Sequence, residues 1–438
     1  MFSQWQHKLW QPIDAAFLTF FRMAFGLIMM WEVWRYLDHD WIATHWIDPQ
    51  FHFTYLGFGW VQPWGGTGMY MHFAGLGILA LCIMLGIQYR LSAFLFWLGF
   101  TYVFLLEQSQ YLNHFYLIAL ISFLLIFLPA ERASSLDVYF NPEQRSDTVP
   151  RWTLWLLRFQ IGLVYFYGGI AKLNEDWLRG EPMRAWLAER TDFPFIGSLF
   201  TQEWMVYAFS YGGLLLDLLV VPFLLWKRTR YAAFTAVVIF HLMNNRLFTI
   251  GIFPFMMIAA TTVFFVPDWP KRLFGWRGES AETTPIKPTN QKLARLGTML
   301  LSVFIVWQVL MPFRHFLYPS NVHWSEEGHR FAWHMKLRDK DAQAQFFVGI
   351  DGETRAIQTS DYLTNRQARK MASRPDMLLQ FAHHLADEMG GDVVVQAVVS
   401  ASLNGRPEQL LVEPTANLVD EVRSIRPKTW LAPLNPYD

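Results

Sequence analysis

A lysine at the end of an apolar segment is the first residue in this sequence that could do chemistry. Lys172 closes a long apolar stretch and follows the glycine pair Gly168 and Gly169. Glycine has no side-chain carbon, so the pair allows a ligand or another helix to approach closely. Partial removal of the amine from water disfavours its charged form, and a neutral amine can act as a general base. The alternative interpretation is a lysine that extends from a helix end to the membrane surface.

Two histidines occupy comparable positions in other apolar segments. His114 begins one such segment, and His241 opens an unusually polar run that includes Asn244 and Asn245. Either histidine alone could be a hydrogen-bonded structural group. If the segments meet in one bundle, Lys172, His114 and His241 lie at the same end of it, and this convergence indicates a shared site.

The composition indicates what positions these residues. The chain has 438 residues, of which 53% are hydrophobic and 16% charged, whereas a typical soluble domain has about 25% charged residues. Most of the apolar segments approach the roughly 20 residues that cross a bilayer core. Core helices of a large soluble protein are the alternative, but the pattern recurs throughout the first 312 residues. The predicted spans are residues 14–36, 66–87, 90–108, 114–129, 153–173, 204–226, 230–247, 249–266 and 293–312.

The remaining residues have the composition of an extramembrane domain. Residues His329–Arg338 and Ala344–Ile350 alternate apolar and polar side chains, which predicts half-buried strands. Asp351-Gly352 and Asn404-Gly405 are hairpin signals, and Arg366–Met389 is predicted to be helical with a break near Pro375. We therefore predict an all-α polytopic membrane bundle of about nine transmembrane helices over residues 1–312. A small strand-rich α+β domain follows over residues 313–438.

The distribution of Lys and Arg predicts an orientation. Basic residues such as Arg90, Arg132, Lys227 and Lys271 fall in loops that share one side if nine spans are real. Such loops face the cytoplasm. We therefore expect a multi-pass cell-membrane protein with a cytoplasmic N-terminus and an extracytoplasmic C-terminal domain. The sequence has no Asn-x-Ser/Thr sequon and can form no intrachain disulfide, which fits a bacterial inner membrane better than the endoplasmic reticulum. The candidate residues then lie near the outer face.

Several classes of function are excluded or unsupported. Lys plus Arg and Asp plus Glu both total 36, so no global positive charge points to nucleic acid. The single cysteine, Cys82, cannot form an intrachain disulfide or a Cys-ligated zinc site. Motifs for zinc hydrolysis, phosphate loops and dinucleotide binding are missing. We expect membrane lipid as a partner, no nucleic acid and no metal ion.

At the clusters described above the sequence resembles a known family, the vitamin K-dependent gamma-glutamyl carboxylases. The similarity is to the compact bacterial form with a horizontally transferred transmembrane domain, and it extends over most of the chain. Five blocks in the same order carry a far more specific signal than any single motif. They are Leu112–Leu117, Gly169–Gly180, Phe240–Ala259, the pair His315–Leu317 with Trp324–Met335, and Thr429–Pro433.

The resemblance implies an enzyme, a carbon–carbon lyase that couples two reactions. Reduced vitamin K, of the menaquinol or phylloquinol type, is epoxidised with O2, and CO2 is added to a glutamate of a peptide or protein. By resemblance, Lys172 deprotonates the quinol and His114 assists at the glutamate or CO2 stage. An apolar bundle suits the quinone and excludes water, which would quench a strong base.

The resemblance also implies two groups of binding residues. Those expected to contact the quinone are His241, Asn244, Asn245, Gly168 and Gly169. Those expected to hold the glutamyl substrate are His315, Trp324, His329 and Trp333. Two alternatives remain open: a non-enzymatic or transport-like protein on the same scaffold, and a quinol oxidase that acts without glutamate carboxylation.

Overall fold

Helices lie at all nine segments in which the apolar pattern predicts a span. The computed structural model describes residues 8–276 and 291–436. The helices are α1 (Ala16–Asp38), α2 (Thr67–Leu85), α3 (Tyr89–Leu106), α4 (Asn113–Phe127), α5 (Arg151–Ala171), α6 (Glu203–Leu225), α7 (Arg230–Phe248), α8 (Phe253–Thr261) and α9 (Gln291–Leu310).

Six helical regions in the described part of the chain are long and apolar enough to cross a membrane. They comprise α1, α2, α3, α5, α6 and the region Arg295–Leu317 that contains most of α9. Helices α4 and α8 lie in shorter apolar regions, and α7 carries the polar run that starts at His241. The protein is therefore mostly helical with six candidate spans, whereas the predicted number of nine is not confirmed.

The loops of the bundle divide between two ends. At one end, the strand β1 (Pro12–Asp14) pairs with β2 (Thr148–Pro150), and Lys271 forms an ion pair with Asp14. The Tyr89 amide donates to Asp137 at the same end. These are the loops that the sequence predicts to be cytoplasmic. The predicted outer loops lie at the opposite end, against the C-terminal domain.

The C-terminal domain is built on one antiparallel sheet. Its strands are β3 (Lys340–Ile350), β4 (Glu353–Ile357), β5 (Val394–Leu403) and β6 (Gln409–Leu410), in the order β4-β3-β5-β6. Helices α10 (Asn365–Ala372) and α11 (Pro375–Met389) pack on it, and the helical region breaks before Pro375 as predicted. Asp351 and Gly352, both with positive φ, form the predicted turn between β3 and β4.

One predicted strand is wrong. Residues 329–338 form turns and irregular backbone instead of a strand. Phe331, Trp333 and Lys336 have positive φ, which interrupts the extended conformation that a strand requires. The apolar side chains of this segment pack with the hydrophobic clusters of the bundle. Phe331 and Trp333 pack on Tyr116 of α4.

The C-terminal domain is fixed to the bundle by buried polar contacts. Arg406 makes two hydrogen bonds to the carboxylate of Asp176, at 2.8 and 2.9 Å. The Asn113 amide donates to the backbone oxygen of His334, at 3.0 Å, at the start of α4. Gln367 donates to the backbone oxygen of Phe51. Charge-assisted and bidentate contacts of this type set a definite orientation, so the two parts can form one site.

Candidate active site

A cavity of about 1090 Å³ lies where the bundle meets the C-terminal domain. Its walls come from α1, α4, α5, α6, α7 and α8 on one side and from β3, α10 and the irregular segment 329–338 on the other. The part of the cavity inside the bundle is lined by apolar and aromatic side chains, among them Phe240, Phe253 and Met257. A cavity of this size, with a few polar groups in an apolar wall, is typical of a small-molecule site.

Lys172 and Asp217 form a buried ion pair in this cavity. The Lys172 Nζ lies 2.5 Å from Asp217 Oδ2 and also donates to the backbone oxygen of Gly168, at 3.1 Å. Each of the two residues is only 5% exposed. The side chain of Lys172 therefore points inward and does not extend to the surface. A buried charge needs such a partner, because burying an unpaired charge costs far more free energy than burying a paired and hydrogen-bonded one.

The glycine pair explains how the two side chains meet. A Cβ atom at Gly169 would lie 2.7 Å from the side chain of Leu218 on α6, and one at Gly168 would lie 3.2 Å from Asp217 Oδ2. The glycines therefore let α5 and α6 approach closely enough to bring Asp217 to Lys172. Of the two uses that the sequence leaves open for this pair, the structure shows close packing of another helix.

The two candidate histidines contact the same aromatic ring. The rings of His114 and His241 contact Phe253, with centroid distances of 5.8 and 5.9 Å. The Nε2 atom of His241 hydrogen-bonds to the hydroxyl of Tyr165, which in turn contacts Thr261. The Nδ1 atom of His241 is buried without a hydrogen-bond partner among the described residues. It could pair with a polar group of a bound molecule.

The wall that the C-terminal domain contributes to the cavity is strongly basic. We call five of its side chains the basic wall: Arg338, Lys340, Arg366, Lys370 and Arg374. Arg338 pairs with Glu326 at 2.7 Å. The Lys340 Nζ donates to the backbone oxygens of Trp324 and Ser373, and Arg374 donates to that of Lys370. Positive charges therefore outnumber negative ones where the C-terminal domain faces the cavity.

The crowding of these cations changes their proton affinity. The nearby Arg374 guanidinium, together with burial, lowers the pKa of Lys370 to about 7. Burial lowers the pKa of Lys340 to about 7 and that of Arg374 to about 10. An anion in the cavity would relieve this repulsion and favour the charged forms. The basic wall is therefore suited to binding a carboxylate.

The structure brings together some of the residues that the sequence singles out. The predicted site residues that line the cavity are Lys172, His114, His241, Asn244 and His329. Within the described part of the chain, the lining leaves out Asn245, Gly168, Gly169, His315, Trp324 and Trp333. Trp333 is fully buried against Tyr116, and the Trp324 indole donates to the backbone oxygen of Ala432. Both tryptophans therefore lie in the protein interior outside the cavity lining.

Sequence reasoning missed the basic wall and the partner of the lysine. Asp217 stands out in the sequence only as one of several ionisable residues in apolar spans. The basic wall had a detectable signal: Arg366 and Lys370 are four residues apart on a helix, and Arg374 follows after another four. The contribution of β3, through Lys340, could not be predicted because it depends on how the domain docks.

Comparison with known families adds independent information. A family model described as the HTTM domain matches residues 10–269, which is more than half of the chain. A model described as the vitamin K-dependent gamma-carboxylase lumenal domain matches residues 293–436, including the last predicted span. No solved structure matches the chain. The two matches, in this order, show that the chain belongs to the vitamin K-dependent gamma-glutamyl carboxylase family, with an HTTM domain followed by a lumenal domain.

Proposed function

We propose that this protein is an integral-membrane, vitamin K-dependent gamma-glutamyl carboxylase that couples O2-dependent epoxidation of a reduced naphthoquinone to the addition of CO2 at a peptide glutamate. One observation carries the proposal. A buried lysine–carboxylate pair and the basic wall share one cavity, so a base and a carboxylate-binding surface face the same space.

The part of the cavity inside the bundle fits a quinol. Phe240, Phe253 and Met257 offer an apolar surface to a ring and its hydrocarbon tail, while His241 and Asn244 offer polar contacts to its oxygens. The unpaired Nδ1 of buried His241 is consistent with a missing polar partner. Reduced vitamin K, when oxidised by O2, supplies the strong base that removes a proton from glutamate Cγ. The apolar walls keep water away from that chemistry.

Lys172 is the general base in this proposal, and Asp217 is the group that prepares it. An ammonium cannot accept a proton from a quinol hydroxyl. A hydrogen bond of 2.5 Å allows the proton to rest on the Asp217 carboxyl instead, which leaves a neutral amine. The neutral Lys172 Nζ then takes the quinol proton.

The basic wall provides for the second substrate. A glutamate side chain is an anion at neutral pH, and Arg or Lys donors bind carboxylates through charge-assisted hydrogen bonds. His114 and His329 line the same cavity and could contact the glutamate or CO2. A quinol oxidase acting alone would have no use for the basic wall, which favours the carboxylase over that alternative.

We place the cavity on the extracytoplasmic side. The Lys- and Arg-rich loops lie at the end of the bundle opposite the C-terminal domain, and such loops face the cytoplasm. The lumenal description of the matching family model is consistent with this orientation. Reporter fusions test it: a fusion at Arg228 should report the cytoplasm, and one after residue 436 should report the outside. A C-terminal fusion that is active in the cytoplasm would contradict the orientation.

The activity is tested with purified full-length protein in lipid nanodiscs. The protein is incubated with reduced vitamin K, labelled bicarbonate and a peptide that contains glutamate, and both the epoxide and the fixed label are measured. We expect both products. Epoxide without fixed label at saturating peptide would favour a quinol oxidase, and neither product would favour a non-enzymatic protein.

A further inference from the structure

Four histidines of the C-terminal domain form a cluster beside the cavity. The histidine cluster consists of His315, His323, His329 and His334, and His334 is at its centre. The other three rings lie 4.8, 5.3 and 5.4 Å from the His334 ring, measured between centroids. His329 and His334 line the cavity, whereas His315 is half-buried beyond the end of α9. The cluster therefore runs from the cavity toward the surface.

The backbone holds these rings together. A Cβ atom at Gly328, where φ is +74°, would lie 2.5 Å from the Cα of His315. Only a glycine permits this approach of two backbones at positive φ. This close approach brings the segment that carries His329 and His334 next to His315, so the backbone determines the contacts between the rings.

The cluster does not have the form of a metal site. Each of the three outer rings contacts His334. Within residues 8–276 and 291–436, no group of three or more His, Cys, Asp or Glu side chains converges closely enough to hold a metal ion. A metal site would require several nitrogens directed at one point. The arrangement is a branched line of imidazoles, which suits the transfer of protons from ring to ring.

Three nitrogens along this line are open to exchange protons, whereas the Nε2 of His329 contacts Arg338. Both ring nitrogens of His334 and the Nδ1 of His323 lack a hydrogen-bond partner among the described residues. The Nδ1 of His315 contacts the backbone oxygen of Pro312, at 2.8 Å, which places its proton on Nδ1 and leaves a lone pair on Nε2. Buried polar atoms without partners are uncommon, and each calls for a functional reason.

The charges around the cluster keep the imidazoles neutral. Burial, with nearby cations, lowers the pKa of His329 and His334 well below the usual value, and lowers that of His323 to about 4. A neutral imidazole has one donor and one acceptor nitrogen, so it can accept a proton on one side of the ring and release one from the other. The charged groups that face the cluster are Glu326, Arg338, Arg374, Arg314 and Asp176.

The chemistry of the proposed function requires a route for protons. In glutamate carboxylation one Cγ–H bond breaks, its electron pair forms the new bond to CO2, and one proton is released for each product. O2 is reduced as the quinol is oxidised, and its two oxygen atoms end in the epoxide and in water. One proton per turnover must therefore leave the cavity.

We propose that the histidine cluster is the proton exit of this cavity, with His334 receiving the proton and His315 delivering it to the outer surface. This inference rests on the proposed carboxylase activity. It assigns these residues to proton transfer, so His315 and His329 act on the proton and need not hold the peptide.

The test uses His315→Ala, because a half-buried side chain at the edge of the fold can be removed without opening the core. In weak buffer, we expect a steady-state carboxylation rate roughly 100-fold or more below that of the wild type, the lower bound of general acid–base effects. Added imidazole should restore the rate, and D2O should slow the variant more than the wild type. His384→Ala is the matched control and should behave as wild type, because His384 is a half-buried histidine of α11 that stacks on Phe51 and lies outside the cavity lining. His334→Gln should match His315→Ala.

Each outcome of this test decides the inference. An unaffected His315→Ala protein would overturn the proton exit, and so would a folded variant whose slow rate imidazole does not restore, because a structural role cannot be rescued by a small base. A wild-type protein that forms neither epoxide nor carboxylated peptide would overturn the proposed function and the exit with it. Only the last outcome affects both.

Discussion

The Nζ atom of Lys172 lies 2.5 Å from Oδ2 of Asp217, and both side chains are buried between α5 and α6. The lysine is therefore half of a buried ion pair, and its chemistry depends on its partner. Because the pair also lines the cavity that the basic wall faces, the base and the carboxylate-binding surface are parts of one site.

The first prediction concerns the energetic coupling of this pair. Lys172→Ala should lower the free energy of unfolding by about 3–5 kcal/mol, because it leaves a buried, unpaired carboxylate. Asp217→Asn in the same background should recover most of that loss. Denaturant unfolding in detergent measures both effects. The more exposed pair Lys271–Asp14 is the control, and Lys271→Ala should cost about 1 kcal/mol or less. A double variant as unstable as Lys172→Ala would contradict the coupling.

The second prediction concerns the basic wall. Lys370→Gln removes one positive charge from the cavity and should raise the KM for a glutamate peptide about tenfold or more, because a charged hydrogen bond contributes about 1.5–3 kcal/mol. The KM for the quinol should stay the same. Arg355→Gln is a matched control, since Arg355 is an exposed residue of β4 that pairs with Glu353. Equal changes in both KM values for Lys370→Gln would show that the basic wall does not select the peptide.

The third prediction is a pH dependence. The pKa values of Lys340 and Lys370 are both about 7, so each lysine is cationic below pH 7 and loses its charge as the pH rises. The glutamate carboxylate stays anionic throughout this range. The KM for the peptide should therefore rise between about pH 6 and pH 8. Lys370→Arg should weaken the dependence, because a guanidinium stays protonated. A KM that does not change over this range would contradict the assignment.

Local patterns predict the helices and the chemistry of single residues well. Apolar runs predict a helix at each of the nine segments, and the glycine pair before Lys172 correctly indicates a close approach. Both signals are carried by neighbouring residues. The pairing of Lys172 with Asp217 joins positions 45 residues apart on different helices, so only the packing of the bundle reveals it.

The segment 329–338 shows where local patterns fail. Its alternation predicts a strand, but its apolar side chains pack on the bundle from an irregular backbone. Trp333 illustrates the consequence: the family resemblance predicts a substrate contact, whereas its side chain is fully buried and does not line the cavity. A role in substrate binding stays a prediction for this residue. Positive φ at three residues of the segment could not be inferred from their types.

The most direct test of Lys172 as the base measures the two products, epoxide and carboxylated peptide, that the Lys172→Arg variant forms. Arginine keeps the positive charge but has no accessible neutral form, so it cannot accept a proton from the quinol. With reduced vitamin K, labelled bicarbonate and glutamate peptide, the wild type should form both epoxide and labelled peptide. The folded, membrane-inserted variant should form neither. Near-normal epoxide formation by Lys172→Arg would contradict the assignment of Lys172 as the base.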